Sequence, residues 1–162
     1  MEGSLPDITL RDLVDFLSGW TELDEPCWFC MWDGNGLWWK GAHGVLTDGS
    51  VEVVAHEWLI DDERDRVLRA TPTAGTAQRK YFLMRGVLRS ALGLLDAAGD
   101  SPNLWWPEGR AWLISTEVDG FSTYVGGPVD LVAALIASGA VEAFPASLDD
   151  LMDPGPYGRP QG

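Results

Sequence analysis

Apolar positions recur at two periods along this chain. Over residues 8–20, Leu10, Leu13, Val14, Leu17 and Trp20 fall at helical spacing and build one apolar stripe. The spacing predicts a first helix, with Asp7 or Thr9 as its N-cap. Residues 27–32 follow the strand period instead. Trp28, Cys30 and Trp32 share one face, and Cys27, Phe29 and Met31 share the other. A strand that is apolar on both faces belongs inside a sheet, covered from both sides. Asp33-Gly34-Asn35-Gly36 is a turn signal followed by a second apolar run. The pattern therefore predicts a β-hairpin with its return strand near 36–40.

Further along, Val51, Val53 and Val54 predict a strand over 50–55, and residues 57–69 read as a charged helix or a loop. The small polar run at 71–78 reads as a flexible loop. Tyr81 to Met84 reads as a short buried strand ended by Gly86. Leu88, Ala91, Leu92 and Leu95 stripe a second helix over 87–98, with Gly99 at its C′ position. Residues 101–109 read as a loop between two prolines. Residues 111–118 and 121–125 read as two strands joined at Asp119-Gly120. Gly126-Gly127-Pro128 opens a third helix, striped by Leu131, Val132, Leu135 and Ile136 and closed by Gly139. Residues 147–152 form one short acidic turn, and 154–162 form a disordered tail. Neither a repeat nor a linker interrupts residues 1–153. The expected architecture is one α+β domain, a mixed or antiparallel sheet of about five strands carrying about three helices.

Composition narrows the partners. With 25 acidic and 11 basic residues the net charge is −14. That field repels a phosphate backbone and an anionic membrane surface, and it attracts a basic protein. The N-terminal stretch lacks a basic segment followed by an apolar one, and no window is long and apolar enough to span a bilayer. Cytoplasmic residence is the expectation, and the sequence assigns no oligomeric state.

Candidate chemistry is sparse. Cys27 and Cys30 form a C-x-x-C, but strand alternation sends the two thiols to opposite faces, so they read as small buried hydrophobes. The same argument, with His43 and His56 thirteen positions apart, disfavours a zinc site built from these four residues. Both histidines read as solvated loop residues. Neither glycine-rich stretch matches a phosphate-binding loop, and no nucleophile elbow occurs. The expectation is no catalytic residue, no metal and no cofactor. Glu117, beside Asp119, reads as half of an ion pair with Arg85 or Arg110, or as a member of a pocket.

Tryptophan supplies the best binding signal, because large aromatics dominate interfaces as well as cores. Nine are present, including the pairs Trp38-Trp39 and Trp105-Trp106. Neighbours on an extended segment face opposite ways, so one of each pair is expected in the core and the other available. The candidate binding residues are Trp32, Asp33, Trp38, Trp39, Arg85, Trp105, Trp106, Arg110, Glu117 and Tyr124.

Taken in order, CWFCMWDGNG, YFLMRG, SPNLWWPEGRAWLISTEVDGFSTYVGG and a Leu-rich helix resemble a group of small uncharacterised proteins of high-GC actinobacteria. The likeness spans residues 26 to 144 and implies a bacterial cytosolic protein without carrying any activity. In size and acidity the chain is also similar to small immunity-type proteins. Two functions follow as expectations. The first is a non-enzymatic binding module, immunity- or inhibitor-like, that masks a basic partner. The alternative is a small-molecule-binding or hydrolytic enzyme with a pocket of Trp32, Trp105, Trp106 and Tyr124 served by Arg85, Arg110 and Glu117.

Overall fold

A computed structural model describes residues 3–34, 43–47, 50–54, 71–75, 79–98, 100–147 and 150. Three helices are described: α1 (Asp7–Leu17), α2 (Ser90–Ala98) and α3 (Val129–Ser138). The strands are β1 (Pro26–Trp32), β2 (His43–Thr47), β3 (Ser50–Val54), β4 (Thr73–Gly75), β5 (Lys80–Val87), β6 (Leu104–Pro107), β7 (Leu113–Thr116) and β8 (Thr123–Gly126). Six of them form one sheet in the order β4-β5-β1-β6-β7-β8, with every neighbouring pair antiparallel. β2 and β3 pair separately. The fold is α+β, with one strand more than expected in the main sheet.

β1 lies inside the sheet, as its two apolar faces require. Its partners differ from the expected hairpin. β5 pairs along one edge from Pro26↔Val87 to Trp32↔Tyr81, and β6 takes the other edge from Cys27↔Pro107 to Cys30↔Leu104. Both ladders of Cys27 to Cys30 are thereby filled by residues distant in sequence. The proposed return strand at 36–40 lies outside the described residues. β6 itself corrects the reading of 101–109 as a loop. Pro102 precedes the strand and Pro107 is its last residue, opposite Cys27, so Leu104, Trp105 and Trp106 are free to join the ladder.

Three smaller corrections follow from tertiary pairing. Gly86 lies within β5, held in the ladder opposite Cys27, and a Cβ there would come within 2.8 Å of Ser90 Cβ. α2 accordingly starts at Ser90, whose hydroxyl accepts the Val87 N–H at 3.1 Å. Part of the 71–78 loop is the edge strand β4. His43 opens β2 and is not a loop residue.

The core lies between one sheet face and the helices. α1 brings Leu10, Leu13, Val14 and Leu17 onto Phe29, Trp105 and Ile114, and α3 adds Leu131 and Leu135. The α1 stripe is the one read from its spacing. Its N-cap is Pro6, without a side-chain cap; Asp7 sits in the first turn, where it suits the helix dipole and pairs with Arg11 at 2.7 Å. α3 ends at Gly139 in the left-handed conformation, φ 65°, where glycine avoids the Cβ penalty. Within the core Phe29 stacks on Trp105 with centroids 6.3 Å apart, and Trp112 meets Trp105 edge-on at 5.5 Å. The Trp112 indole N–H donates to Thr21 Oγ1 at 3.0 Å.

Asn103 joins the N-terminal segment to the sheet. It is buried, donates to the Gly3 carbonyl at 3.0 Å and accepts the Trp32 N–H at 2.8 Å. Ser4 and Ser101 lock the same segment, with Leu5 N–H on Ser101 Oγ at 2.8 Å and Ser101 N–H on Ser4 Oγ at 2.9 Å. Gly3 lies so close to Val118 that a Cβ would come within 2.6 Å of its carbonyl oxygen.

Candidate functional site

Directly opposed residues in an antiparallel ladder share a face. The outer face of the sheet therefore carries rows that the register defines. At the Pro26 end, Arg85, Trp28 and Trp106 lie side by side across β5, β1 and β6. Next come Leu83, Cys30, Leu104, Ser115 and Tyr124, followed by Tyr81 and Trp32. Trp28, Trp32, Trp106 and Tyr124 are each half-buried.

At the Pro26 end this face meets an open cleft of about 680 Å³. Trp20, Glu22, Leu23, Asp24 and Glu25 after α1, Pro26, and Glu108, Gly109 and Ala111 after β6 line it. The α1 stripe explains the wall: Trp20 stacks on Phe16 with centroids 6.3 Å apart, one turn past the helix core. Leu23, at 94% exposure, stands free at the rim. The opposite wall is held by Glu25, whose carboxylate accepts the Gly109 N–H at 2.9 Å. Four carboxylates thus line one cleft. Among the described residues no three acidic, histidine or cysteine groups converge closely enough to hold a metal ion, so the charges are spread along the cleft rather than focused.

Glu108 connects cleft and sheet. Its Oε2 accepts the Trp28 indole N–H and stands 4.0 Å from Arg85 Nε. The Arg85 guanidinium lies over the Trp28 ring, 5.6 Å from its centroid. Arg110 follows in the same turn, with a left-handed backbone at φ 56° and its N–H on the Pro107 carbonyl at 2.9 Å.

Of the residues read from sequence, Arg85 and Trp106 stand on either side of Trp28 at this end, and Arg110 lies in the turn after β6 without lining the cleft. Trp32, Asp33 and Glu117 lie toward the other end, where Asp33 N–H donates to the Lys80 carbonyl at 3.1 Å. Glu117 pairs with Arg79, which also binds Asp119, in place of Arg85 or Arg110. That correction follows from the register: Glu117 continues β7 past Thr116, whereas Arg110 precedes the start of β7. Trp105 has no exposed surface and belongs to the core. Trp38 and Trp39 lie outside the described residues. Sequence reasoning passed over Trp20, Trp28 and Glu108. The acidic run after the first helical stripe was the visible signal for part of the cleft, but the pairing of β1 with β6 is what brings Glu108 to it.

The two thiols are buried on opposite faces of β1, as the strand period required. Burial pushes each up to about 11, with Glu25 adding to the rise at Cys27. Neither is a thiolate near neutral pH. No helix among the described residues is long and apolar enough to cross a membrane. No family model matches the chain, and neither a curated protein nor a solved structure is detectably similar to it.

Proposed function

We propose that this chain is a non-enzymatic binding module that engages a basic protein partner at the Trp20 cleft, in the manner of an immunity or inhibitor protein. The observation that carries the reading is the grouping of Glu22, Asp24, Glu25 and Glu108 around Trp20 and the exposed Leu23. Like charges held near one another repel, and a cationic side chain relieves that repulsion while its apolar stem covers Trp20 and Leu23. An aromatic floor with an acidic rim is also a hot-spot composition for the opposing arginine or lysine. The net charge of −14 adds long-range attraction and a faster encounter. Likeness in size and acidity to immunity-type proteins supports the same reading.

The test is capture of binding proteins from an actinobacterial lysate on the immobilised full chain, followed by titration of the captured protein. A basic partner should bind, with affinity that falls as salt rises. Changing Glu22 and Asp24 together to Gln and Asn should weaken it about tenfold, from roughly 0.5–1 kcal/mol for each charge. Capture of neutral or acidic partners alone, or an unchanged affinity in the double variant, would overturn the assignment.

A further inference from the structure

The cleft already has a cation beside it, and that cation is the chain's own. Arg85 covers the Trp28 ring at 5.6 Å and places Nε 4.0 Å from Glu108 Oε2, while Glu108 lines the cleft. We infer that Arg85 is a resident competitor, which a partner's arginine or lysine must displace from Glu108 to occupy the whole cleft. The inference rests on the basic-partner reading and adds a regulatory residue to it.

The geometry makes displacement feasible. Arg85 and Glu108 are 54% and 53% exposed, so their attraction is screened and of the size typical of surface pairs. Glu108 is anchored independently by the Trp28 indole N–H, so it keeps its place when the guanidinium leaves. The Trp28 face remains as a second seat for Arg85 or for the incoming cation. The pair sets a positive charge beside one of the four carboxylates in the free protein, which lowers affinity by one common factor for every basic ligand that must reach Glu108.

The test compares Arg85→Gln with Arg89→Gln in the full chain, using a nona-arginine peptide as the probe and tryptophan fluorescence as the readout. Arg89 is equally cationic but pairs with Asp15 on α1 at 3.2 Å, and neither residue lines the cleft. It therefore controls for the loss of one positive charge. Arg85→Gln should bind the peptide about fivefold more tightly than the unmodified chain, from the ion pair and the ring contact together. Arg89→Gln should change affinity less than twofold, because its exposed charge is screened and its carboxylate partner does not line the cleft. Adding Glu108→Gln to Arg85→Gln should abolish the gain. Equal effects of the two arginine variants, or weaker binding by Arg85→Gln, would overturn the competitor role and leave basic-partner binding intact. Absence of peptide binding in the unmodified chain and both variants would overturn the basic-partner reading, and this inference with it.

Discussion

Trp105 and Trp106 are joined by one peptide bond and lie on opposite faces of β6. Trp105 is sealed between Phe29 and Trp112, whereas Trp106 stands beside Trp28 on the outer face, half-buried and next to Arg85 and Glu108. The two faces differ in how their polar groups are treated. The inner face tolerates one buried donor without an acceptor among the described residues, Trp105 Nε1, at a cost of about 1–3 kcal/mol. Stacked aromatic area offsets that cost. On the outer face the corresponding indole donor, Trp28 Nε1, has a carboxylate acceptor. An inner face is therefore committed to packing, while an outer face keeps polar groups that can exchange partners.

The largest test of that contrast is truncation at the pair. Trp105→Ala should cost about 3–5 kcal/mol, by loss of a fully buried aromatic and the cavity it leaves. Trp106→Ala should cost about 1 kcal/mol, because half the ring already meets water. Urea unfolding of both variants measures the difference, and equal losses would break the distinction between the faces. Asn103→Ala comes next. It strands the Gly3 carbonyl and the Trp32 N–H, and about 2–3 kcal/mol should be lost. The N-terminal segment should then exchange its amides faster than α1, which hydrogen exchange reads directly.

Asp100 gives a smaller, pH-dependent effect. Burial raises its pKa, and a hydrogen bond from Ser4 only partly opposes the rise. A carboxyl raised on folding favours the protonated form, so its contribution is fully present below the unfolded pKa, near 3.8, and is lost as pH climbs through the folded value. Asp100→Asn should therefore gain stability at neutral pH and flatten this part of the acid limb. A variant less stable than the parent at pH 7 would show that the charge is welcome where it stands. The smallest effect concerns the thiols. Raised to about 11, Cys27 and Cys30 should remain unreactive toward a disulfide reagent at pH 7.5 and react together only on unfolding. Their contribution to stability should be fully present below pH 9 and fall as pH rises toward 11. Fast labelling of Cys30 alone would mean that the outer face opens locally.

Local pattern determined a good deal of this protein. The periods of α1 and α3, the left-handed stop at Gly139, the doubly apolar β1 with diverging thiols, and the Asp119-Gly120 turn between β7 and β8 are all set by neighbours in sequence. Side-chain period and turn chemistry act over a few residues and need no partner. Tertiary structure alone decided which strands meet. β1 pairs with β5 and β6, and β6 becomes a strand because those ladders satisfy its backbone. The same pairing sends Glu117 to Arg79 and brings Glu108 to the acidic run after α1. Contacts made across such sequence separations depend on the whole sheet closing. The cleft, and the arginine that stands beside it, therefore exist only in the folded chain.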